Sequence, residues 1–377
     1  MPVSTIEAVK QIKAYIAAKG FSYPEGFIEN FFLCLKTKPF VILAGISGTG
    51  KTRLVRLFSE SIGAECRLLP VRPDWSDSSA LFGHSDINGC FHPGPVLQFL
   101  REAREHPQKP FILCLDEMNL ARVEYYLSDL LSVMETRELV DGTIISAQLF
   151  GENDYGADET QRSRFGSFDF PQNLYIVGTV NMDETTFSFS KKVLDRANTI
   201  EFNTVDLIPH LDPTRNASEQ LMLPNSFLRS DYIHLSHCSE DSEFVLRICA
   251  ELQRLNAILQ KANEAIGYRV RDEIVFYLLY NKTEGNLLPP DHAFDMAVMQ
   301  KILPRIQGSS FAIRNMLLEL FRFFAGDPAR YDGESNAEKM QNLLSDVSAQ
   351  VRYRRCAEKT ALMLRRFEED GYASFWL

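Results

Sequence analysis

Residues 45–52 read GISGTGKT and match the G-x-x-x-x-G-K-[ST] pattern of a phosphate-binding loop. The glycines at 45, 48 and 50 allow positive φ and close backbone approach, so successive N–H groups can point at phosphate oxygens. We predict that Lys51 reaches the β- and γ-phosphates and that the hydroxyl of Thr52 holds magnesium. The residues predicted to cradle the phosphates are Gly45, Ser47, Gly48, Thr49, Gly50, Lys51 and Thr52. These residue types indicate a nucleoside triphosphate as ligand.

A second group of chemically capable residues follows an apolar run. Residues 111–117 read FILCLDE, which predicts a buried strand that ends in two carboxylates. We expect Asp116 to join Thr52 at the magnesium site and Glu117 to act as the general base that polarises an attacking water. The alternative is a strand followed by an acidic turn without catalytic function.

A third strand is predicted over residues 174–180, and the polar Asn181 follows it directly. A side chain at this position can contact the γ-phosphate or position water, so Asn181 is a candidate sensor, although the sequence NMD is also good turn chemistry. Residues 188–197 predict a helix that leads into a strand over 198–202. Arg196 at that junction is either a finger donated to a neighbouring subunit or an ion-pair partner of Asp195, and spacing does not decide between them.

The elements around these residues predict the architecture. A buried-strand run at 39–44 precedes the phosphate loop, and helical spacing at 53–59 follows it. From residue 239 onward apolar residues recur at intervals of three and four, which predicts a helical lid. The predicted fold is an α/β P-loop NTPase, with a parallel sheet flanked by helices and followed by an α-helical lid. We predict a helical lead-in at 1–35, the NTPase core at 36–208, a connector at 209–238 and the lid and C-terminal domain at 239–377.

The predicted lid contains a candidate second sensor. Residues 266–273 precede a helix predicted over 274–280, and an arginine there can close over the γ-phosphate. We choose Arg271 over Arg269 for this contact. The equal alternative is a capping turn in which Asp272 accepts from the first N–H groups of that helix.

Composition excludes several classes of protein. The chain has 377 residues, 45% hydrophobic and 24% charged, and a net charge of −10 that does not suit unaided binding to a nucleic-acid backbone. Basic segments at 352–355 and 365–366 are either local patches or solvated helix faces. No apolar stretch is long enough to span a bilayer, so we expect a cytoplasmic protein without a membrane partner. The seven cysteines form no C-x-x-C pair and are expected to be reduced core residues.

The order of phosphate loop, Asp-Glu strand, Asn strand and arginine-bearing helix resembles the AAA+ superfamily of ring-forming NTPases. Three segments resemble its McrB-type branch, which supplies the NTPase motor of modification-dependent restriction systems. They are DEMN at 116–119, VRPDWSD at 71–77 with LFG at 81–83, and NMDETT at 181–186. The resemblance extends from about residue 15 to residue 376.

The resemblance implies roles for individual residues and partners. Asn119 matches the asparagine that follows the acidic pair, Asn181 matches sensor 1 and Arg196 matches the arginine finger. The resemblance also implies Mg²⁺, assembly into a ring that is a hexamer, and a McrC-like nuclease subunit as partner. The McrB-type branch favours GTP, whereas the wider superfamily favours ATP, and we favour GTP.

Two departures from the family pattern qualify the resemblance. The loop after the third strand reads NMDET, whereas the best-known member has Met-Asn-Thr-Ala-Asp-Arg, so contact with a stimulating partner is expected to differ. Few residues precede the phosphate loop, so we expect the DNA reader and nuclease on another chain, or a reader built from insertions. Residues 141–170 are either a pore-facing hairpin or a disordered loop, and residues 76–95 are a candidate projecting hairpin.

The hypothesis is therefore a ring-forming NTPase that hydrolyses GTP or ATP with Mg²⁺, as motor or regulatory subunit of a McrBC-like restriction or defence complex. DNA contact would be indirect, through the partner or the insertions. Two alternatives remain: a MoxR-like ATPase that remodels a protein substrate, and a scaffold that assembles on nucleotide without hydrolysing it.

Overall fold

The computed structural model of the 377-residue chain describes residues 3–182, 187–203, 207, 219–326, 336–346 and 350–376. The chain forms two compact units, Met1–Ile233 and His234–Leu377. Residues 183–186 of the predicted signature loop and 209–218 of the predicted connector lie outside the described residues. The bounds of the four predicted segments remain predictions.

The N-terminal unit combines helices with a parallel sheet. Its α-helices are α1 (Thr5–Ala18), α2 (Phe27–Thr37), α3 (Lys51–Ile62), α4 (Ser79–Phe82), α5 (Pro95–Glu105), α6 (Val123–Tyr126), α7 (Ser128–Met134), α8 (Glu159–Phe165) and α9 (Lys191–Leu194). Its strands are β1 (Phe40–Gly45), β2 (Glu65–Pro70), β3 (Gly83–Ser85), β4 (Phe91–Pro93), β5 (Phe111–Asp116), β6 (Glu138–Val140), β7 (Thr143–Ile145), β8 (Gln148–Phe150), β9 (Phe168–Asp169), β10 (Leu174–Asn181) and β11 (Asn198–Glu201). Single 3₁₀ turns occupy Met118–Leu120, Glu152–Tyr155 and Asn225–Phe227.

Five parallel strands form the central sheet in the order β11-β1-β10-β5-β2. Strands β1 and β10 are buried along their whole length, as continuous apolar runs in a parallel sheet predict, whereas edge strand β2 is partly exposed. Gly45 pairs with Asn181 across β1 and β10, and Gly178 pairs with Leu115 across β10 and β5. Parallel pairing therefore brings the carboxyl ends of three strands to one edge, and the predicted fold class is confirmed.

Several local expectations were wrong in extent. The helix expected over 188–197 is the four-residue α9, because the chain must enter β11 at Asn198, which pairs with Val41 of β1. The insertion at 76–95 contains the β3–β4 hairpin. A second hairpin, β6–β7, begins before the insertion expected at 141–170 and turns at Asp141 and Gly142, both at positive φ. The remainder of that insertion is ordered as β8, α8 and β9.

The C-terminal unit is helical, as predicted. Its elements are a 3₁₀ segment (Leu235–Asp241), α10 (Ser242–Gln260), α11 (Tyr268–Thr283), α12 (Pro290–Lys301), a 3₁₀ turn (Leu303–Arg305), α13 (Phe311–Ala325), α14 (Ala337–Ser345), α15 (Arg354–Asp370) and the short strands β12 (Gln307–Gly308) and β13 (Ala373–Ser374). Pro304 follows the end of α12, and its carbonyl accepts a 2.8 Å hydrogen bond from the indole N–H of Trp376. Strands β12 and β13 pair antiparallel, so the C-terminal segment is attached to the unit at two places.

The fold shows the surroundings of the basic segments and the cysteines singled out in the sequence. Arg352, in the turn before α15, pairs with Glu251 and Asp291, and Arg365 pairs with Glu369 along the exposed face of α15. All seven cysteines are free. The expectation that each is a core residue was wrong for Cys90, which is exposed on the β3–β4 hairpin. Across the described ranges, no helix combines the length and apolar character needed to cross a bilayer.

Candidate active site

The predicted phosphate loop connects the end of β1 to the start of α3. Gly48 and Gly50 have φ of 80° and 90°, in the left-handed region that favours glycine. Gly45 does not have positive φ, and the other property expected of these glycines, close backbone approach, applies there. A Cβ at Gly45 would lie 2.2 Å from the carbonyl oxygen of Phe202, so glycine is required there by the close approach of the chain leaving β11.

Neighbouring strands anchor the loop. The N–H of Ile46 donates to Asn203 Oδ1 at 3.1 Å, and the N–H of Met182 donates to the carbonyl of Gly45 at 3.1 Å. Lys51 is 5% exposed, and its ammonium donates to the carbonyls of Gly45 at 3.0 Å and Ile46 at 2.7 Å. The ammonium of Lys51 therefore lies against the inner turn of the loop, at the N-terminus of α3, where the helix dipole favours an anion.

Asp116 lies at the end of β5, beside the first turn of α3. Thr52 Oγ1 donates to Asp116 Oδ1 at 2.6 Å, and Thr179 Oγ1 donates to the same oxygen at 2.7 Å. A hydroxyl and a carboxylate oxygen in contact are hard oxygen ligands of the kind that Mg²⁺ binds. The two residues predicted to hold magnesium are therefore adjacent, and their chemistry fits the ion.

Glu117 is held by the neighbouring strand through both its backbone and its side chain. Its N–H donates to Thr179 Oγ1 at 3.0 Å, and Asn181 Nδ2 donates to Glu117 Oε1 at 3.0 Å. Its backbone has φ 51° and ψ 49°, the left-handed conformation that non-glycine residues rarely adopt. The candidate base and the candidate sensor are therefore in direct contact, and Glu117 leaves the strand by a sharp change of direction.

The turn after the acidic pair packs on β10 and on the segment at 71–77. A Cβ at Gly178 would lie 1.9 Å from the sulfur of Met118, so glycine makes room for that side chain. The hydroxyl of Tyr126 donates to the Met118 carbonyl at 2.9 Å, and the ring of Trp75 packs edge-on against Tyr126 at 5.3 Å. Asn119 is buried in this turn, and its carbonyl accepts from the N–H of Phe187 at 3.0 Å.

Arg196 follows the short helix α9. Its Nε lies 3.6 Å from Glu135 Oε1, and its Nη1 donates to the Lys192 carbonyl at 3.0 Å. Lys38 also pairs with Glu135, at 3.1 Å. The structure thus gives Arg196 an ion pair with Glu135, where the sequence suggested Asp195. Its side chain is 23% exposed, and its Nε is buried.

Arg271 lies within α11 of the helical unit. That helix begins at Tyr268, with Gly267 as its N-cap, so the start expected at Ile274 and the capping role considered for Asp272 were both wrong. Arg271 Nε donates to Asp272 Oδ1 at 2.7 Å, and its guanidinium lies 4.8 Å from the centre of the Tyr268 ring. Burial raises the pKa of the Asp272 carboxyl above its usual value. The second-sensor role of Arg271 remains a prediction.

Sequence reasoning missed two residues of this cluster. Thr179 contacts both members of the acidic pair, and Asn203 anchors the start of the phosphate loop. A signal for Thr179 was present, because side chains two positions apart on a strand point to the same face and Asn181 was already a candidate.

Comparisons with known proteins place the two halves of the chain in different families. Residues 40–197 match the AAA domain family of the dynein-related subfamily, and residues 216–372 match a domain family of unknown function, DUF8727. A solved structure from Cytophaga hutchinsonii, described as a candidate ATPase, is 14% identical and has a TM-score of 0.49. The match covers 79% of this chain and 88% of that one.

A curated relative carries the McrB name. The chain is 25% identical over 253 residues to the type IV methyl-directed restriction enzyme EcoKMcrB subunit of Escherichia coli strain K12. The match covers 65% of this chain and 48% of that protein, so the chain spans about half the length of this relative. Residues 40–197, with the phosphate loop, acidic pair and arginine, therefore form an AAA domain, and the chain as a whole is similar to an McrB subunit.

Proposed function

We propose that this chain hydrolyses a nucleoside triphosphate at the carboxyl edge of its sheet and uses the cycle to drive a restriction-type complex. Membership in the AAA+ P-loop family supports triphosphatase activity. One observation carries the catalytic part of the proposal. The two carboxylates after β5 lie at the phosphate loop, one bonded to Thr52 and the other to Asn181.

The residues of the loop bind and orient the phosphates. Backbone N–H groups of residues 45–52 and the dipole of α3 would hold the phosphate chain, and Lys51 would move from the loop carbonyls to the β- and γ-phosphate oxygens. Thr52 and Asp116 would hold Mg²⁺, which supplies charge neutralisation on the phosphates when bound.

Glu117 is proposed to accept the proton of the attacking water. Water attacks the γ-phosphorus in line with the leaving β-phosphate oxygen, and the water's proton passes to the Glu117 carboxylate. Asn181 donates to Oε1 of that carboxylate and so fixes its orientation at the phosphate loop. Fixing this geometry before the substrate arrives lowers the barrier by positioning.

Arg196 is proposed to act on the nucleotide of a neighbouring subunit. A guanidinium donated in trans would stabilise charge on the transferring phosphoryl group, and it would have to exchange its pair with Glu135 for that contact. An arginine supplied in trans requires a head-to-tail interface, and repeated heterologous contacts of this kind close into a ring. The family resemblance favours a hexamer.

The biological part of the proposal rests on the McrB similarity. The relative is named as a subunit of a methyl-directed restriction enzyme, and we propose a corresponding role here, with a McrC-like nuclease subunit as partner and a cytoplasmic location. DNA would be contacted through that partner or through the hairpins β3–β4 and β6–β7. We favour GTP over ATP on the same similarity.

Steady-state hydrolysis tests the proposal. Wild-type protein is assayed with GTP and ATP in parallel, with and without Mg²⁺, beside Lys51→Ala and the exposed control Lys13→Ala. We expect Mg²⁺-dependent turnover that is faster with GTP, retained in Lys13→Ala and lost in Lys51→Ala. Unchanged turnover in Lys51→Ala would mean that hydrolysis does not occur at the phosphate loop. Faster turnover of ATP than of GTP would contradict the proposed preference for GTP.

A second measurement tests the restriction role. The McrC-like subunit proposed as partner is sought among the neighbouring genes, co-expressed and purified with this chain, and hydrolysis and DNA cleavage are measured for the complex. We expect the partner to stimulate hydrolysis and cleavage to require it. Absence of any nuclease partner would contradict the restriction role. Stimulation by an unfolded or complexed protein substrate without any nuclease would instead support the remodelling alternative.

A further inference from the structure

We propose that Thr179 is a positioning residue that orients both carboxylates of the acidic pair, an inference that rests on the proposed hydrolysis. Thr179 lies near the end of β10 and is 2% exposed. Its hydroxyl donates to Asp116 Oδ1 and accepts from the N–H of Glu117. One hydroxyl therefore contacts both residues whose carboxylates are proposed to act on the nucleotide.

The contact with Asp116 selects an orientation of that carboxylate. A threonine hydroxyl has a single hydrogen, and the N–H of Glu117 occupies its acceptor side, so its hydrogen is directed to Asp116. The hydroxyl of Thr52 donates to the same oxygen, Oδ1. Because both donors contact Oδ1, they fix the orientation of the carboxylate. Neither threonine contacts Oδ2, which is therefore the oxygen proposed to face a cation.

The contact with Glu117 selects the direction in which the chain leaves β5. The pairing of β5 with β10 ends at Leu115 and Gly178, so the N–H of Glu117, two residues further on, requires a partner beyond that ladder. The Thr179 hydroxyl is that partner for Glu117, whose backbone turns into the left-handed conformation. The side chain of Glu117 is thereby directed to Asn181, on the same face of β10 two residues beyond Thr179.

A buried threonine can also be a simple packing residue, and the same sheet contains an example. Thr199 on β11 is 1% exposed, and its Oγ1 has no hydrogen-bond partner among the described residues. Threonine and valine have nearly the same shape, so Thr→Val at the two positions removes a hydroxyl with two contacts in one case and with none in the other. Thr199→Val is therefore a matched control.

The experiment measures GTP and ATP hydrolysis by the full chain as a function of nucleotide and Mg²⁺ concentration. For Thr179→Val we expect kcat to fall about 100-fold, with KM for nucleotide changed by less than about threefold. The Mg²⁺ concentration for half-maximal rate should rise, since Asp116 loses one of the donors that orient it. Thr179→Ser keeps the hydroxyl and should return kcat to within about threefold of wild type, while Thr199→Val should match wild type.

Thermal unfolding of each variant separates positioning from a loss of fold. If Thr179→Val is too unstable to assay, Thr179→Ala and Thr179→Ser are compared, and the serine variant must exceed the alanine variant in kcat. Wild-type kcat and Mg²⁺ dependence in Thr179→Val would overturn the inference, as would equal losses in Thr179→Val and Thr179→Ser. Failure of wild-type protein to hydrolyse any nucleotide would overturn the proposed function itself, which is a distinct result.

Discussion

Asp116 in the N-terminal unit is a half-buried carboxylate and Glu273 in the helical unit is a buried one, and they have partners of different kinds. Two neutral hydroxyls donate to Asp116. Glu273 instead pairs with the ammonium of Lys301, and the two side chains are only 8% and 2% exposed. Asp295, also in the helical unit, accepts from the N–H groups of Arg355 and Cys356 at the start of α15.

The kind of partner distinguishes the two regions. We infer that Asp116 is oriented to bind a ligand, whereas Glu273 and Asp295 connect helices of the helical unit. Hydroxyl donors orient a carboxylate without neutralising it, so its charge remains available to a cation such as Mg²⁺. A buried ammonium neutralises its partner and fixes the packing of α11 against α12. We therefore expect substitutions at the sheet edge to change catalysis with little effect on stability, and substitutions at the helical pair to do the reverse.

The sharpest test of the sheet edge is Glu117→Gln. The amide is nearly isosteric but cannot accept the proton of the attacking water, so kcat should fall by about 10²- to 10⁴-fold while nucleotide binding is kept. Single-turnover hydrolysis and nucleotide binding are measured beside Glu65→Gln, an exposed control on β2. Retained turnover in Glu117→Gln would contradict the assignment of the base and favour the scaffold alternative.

The corresponding test of the helical unit is Lys301→Met. Removing the ammonium leaves the carboxylate of Glu273 buried beside an apolar side chain, which should cost about 3–5 kcal/mol of unfolding free energy. The double variant Lys301→Met with Glu273→Leu should recover most of that loss, because the uncompensated charge is gone. Both are read from denaturant unfolding of the full chain. Equal destabilisation by the single and double variants would show that packing, rather than charge, determines the loss.

The buried strands of the central sheet could be predicted from the sequence because buried parallel strands have a distinctive apolar pattern. Strands β1, β5 and β10 lie inside a parallel sheet, so their sequences are continuous apolar runs and their positions were predicted closely. Parallel pairing then places Asp116 and Asn181 at one edge. The fold and the main candidate residues were therefore accessible without the structure.

Other features depended on tertiary contacts that local patterns record only in part. Thr179 is a buried β-branched residue on a strand, which is typical of packing, and its two hydrogen bonds require the turn at Glu117. The helix expected to begin at Ile274 begins at Tyr268, with Gly267 as its N-cap. The partner of Arg196 is Glu135, some sixty positions earlier in the chain.

A smaller effect is expected where packing positions the acidic turn. Gly178→Ala would place a methyl group against the sulfur of Met118 and displace the turn that carries Glu117. Overpacking of this kind costs about 1–3 kcal/mol, and we expect kcat to fall about tenfold. The double variant with Met118→Ala relieves the overlap and should recover both values. If kcat does not recover in the double variant, Gly178→Ala does not act by displacing the turn that carries Glu117.

The smallest expected effect is a pH dependence in the helical unit. Burial raises the pKa of the Asp295 carboxyl, although the N–H groups of Cys356 and Arg355 and the charge of His292 oppose the rise. A carboxyl whose pKa is higher in the folded state than in the unfolded state stabilises the fold below the unfolded pKa, and that contribution is lost as pH rises through the folded pKa.

Wild type and Asp295→Asn are compared by urea unfolding at several pH values from about 4 upward, the usual carboxyl pKa. We expect the stability of wild type relative to the variant to decrease as pH rises, because only wild type must bury the ionised group. An increase with pH would mean that the N–H groups at the start of α15 outweigh burial. Asp295 would then be held as the anion by the N–H groups around it, and the proposed contrast between the two units would be lost at this position.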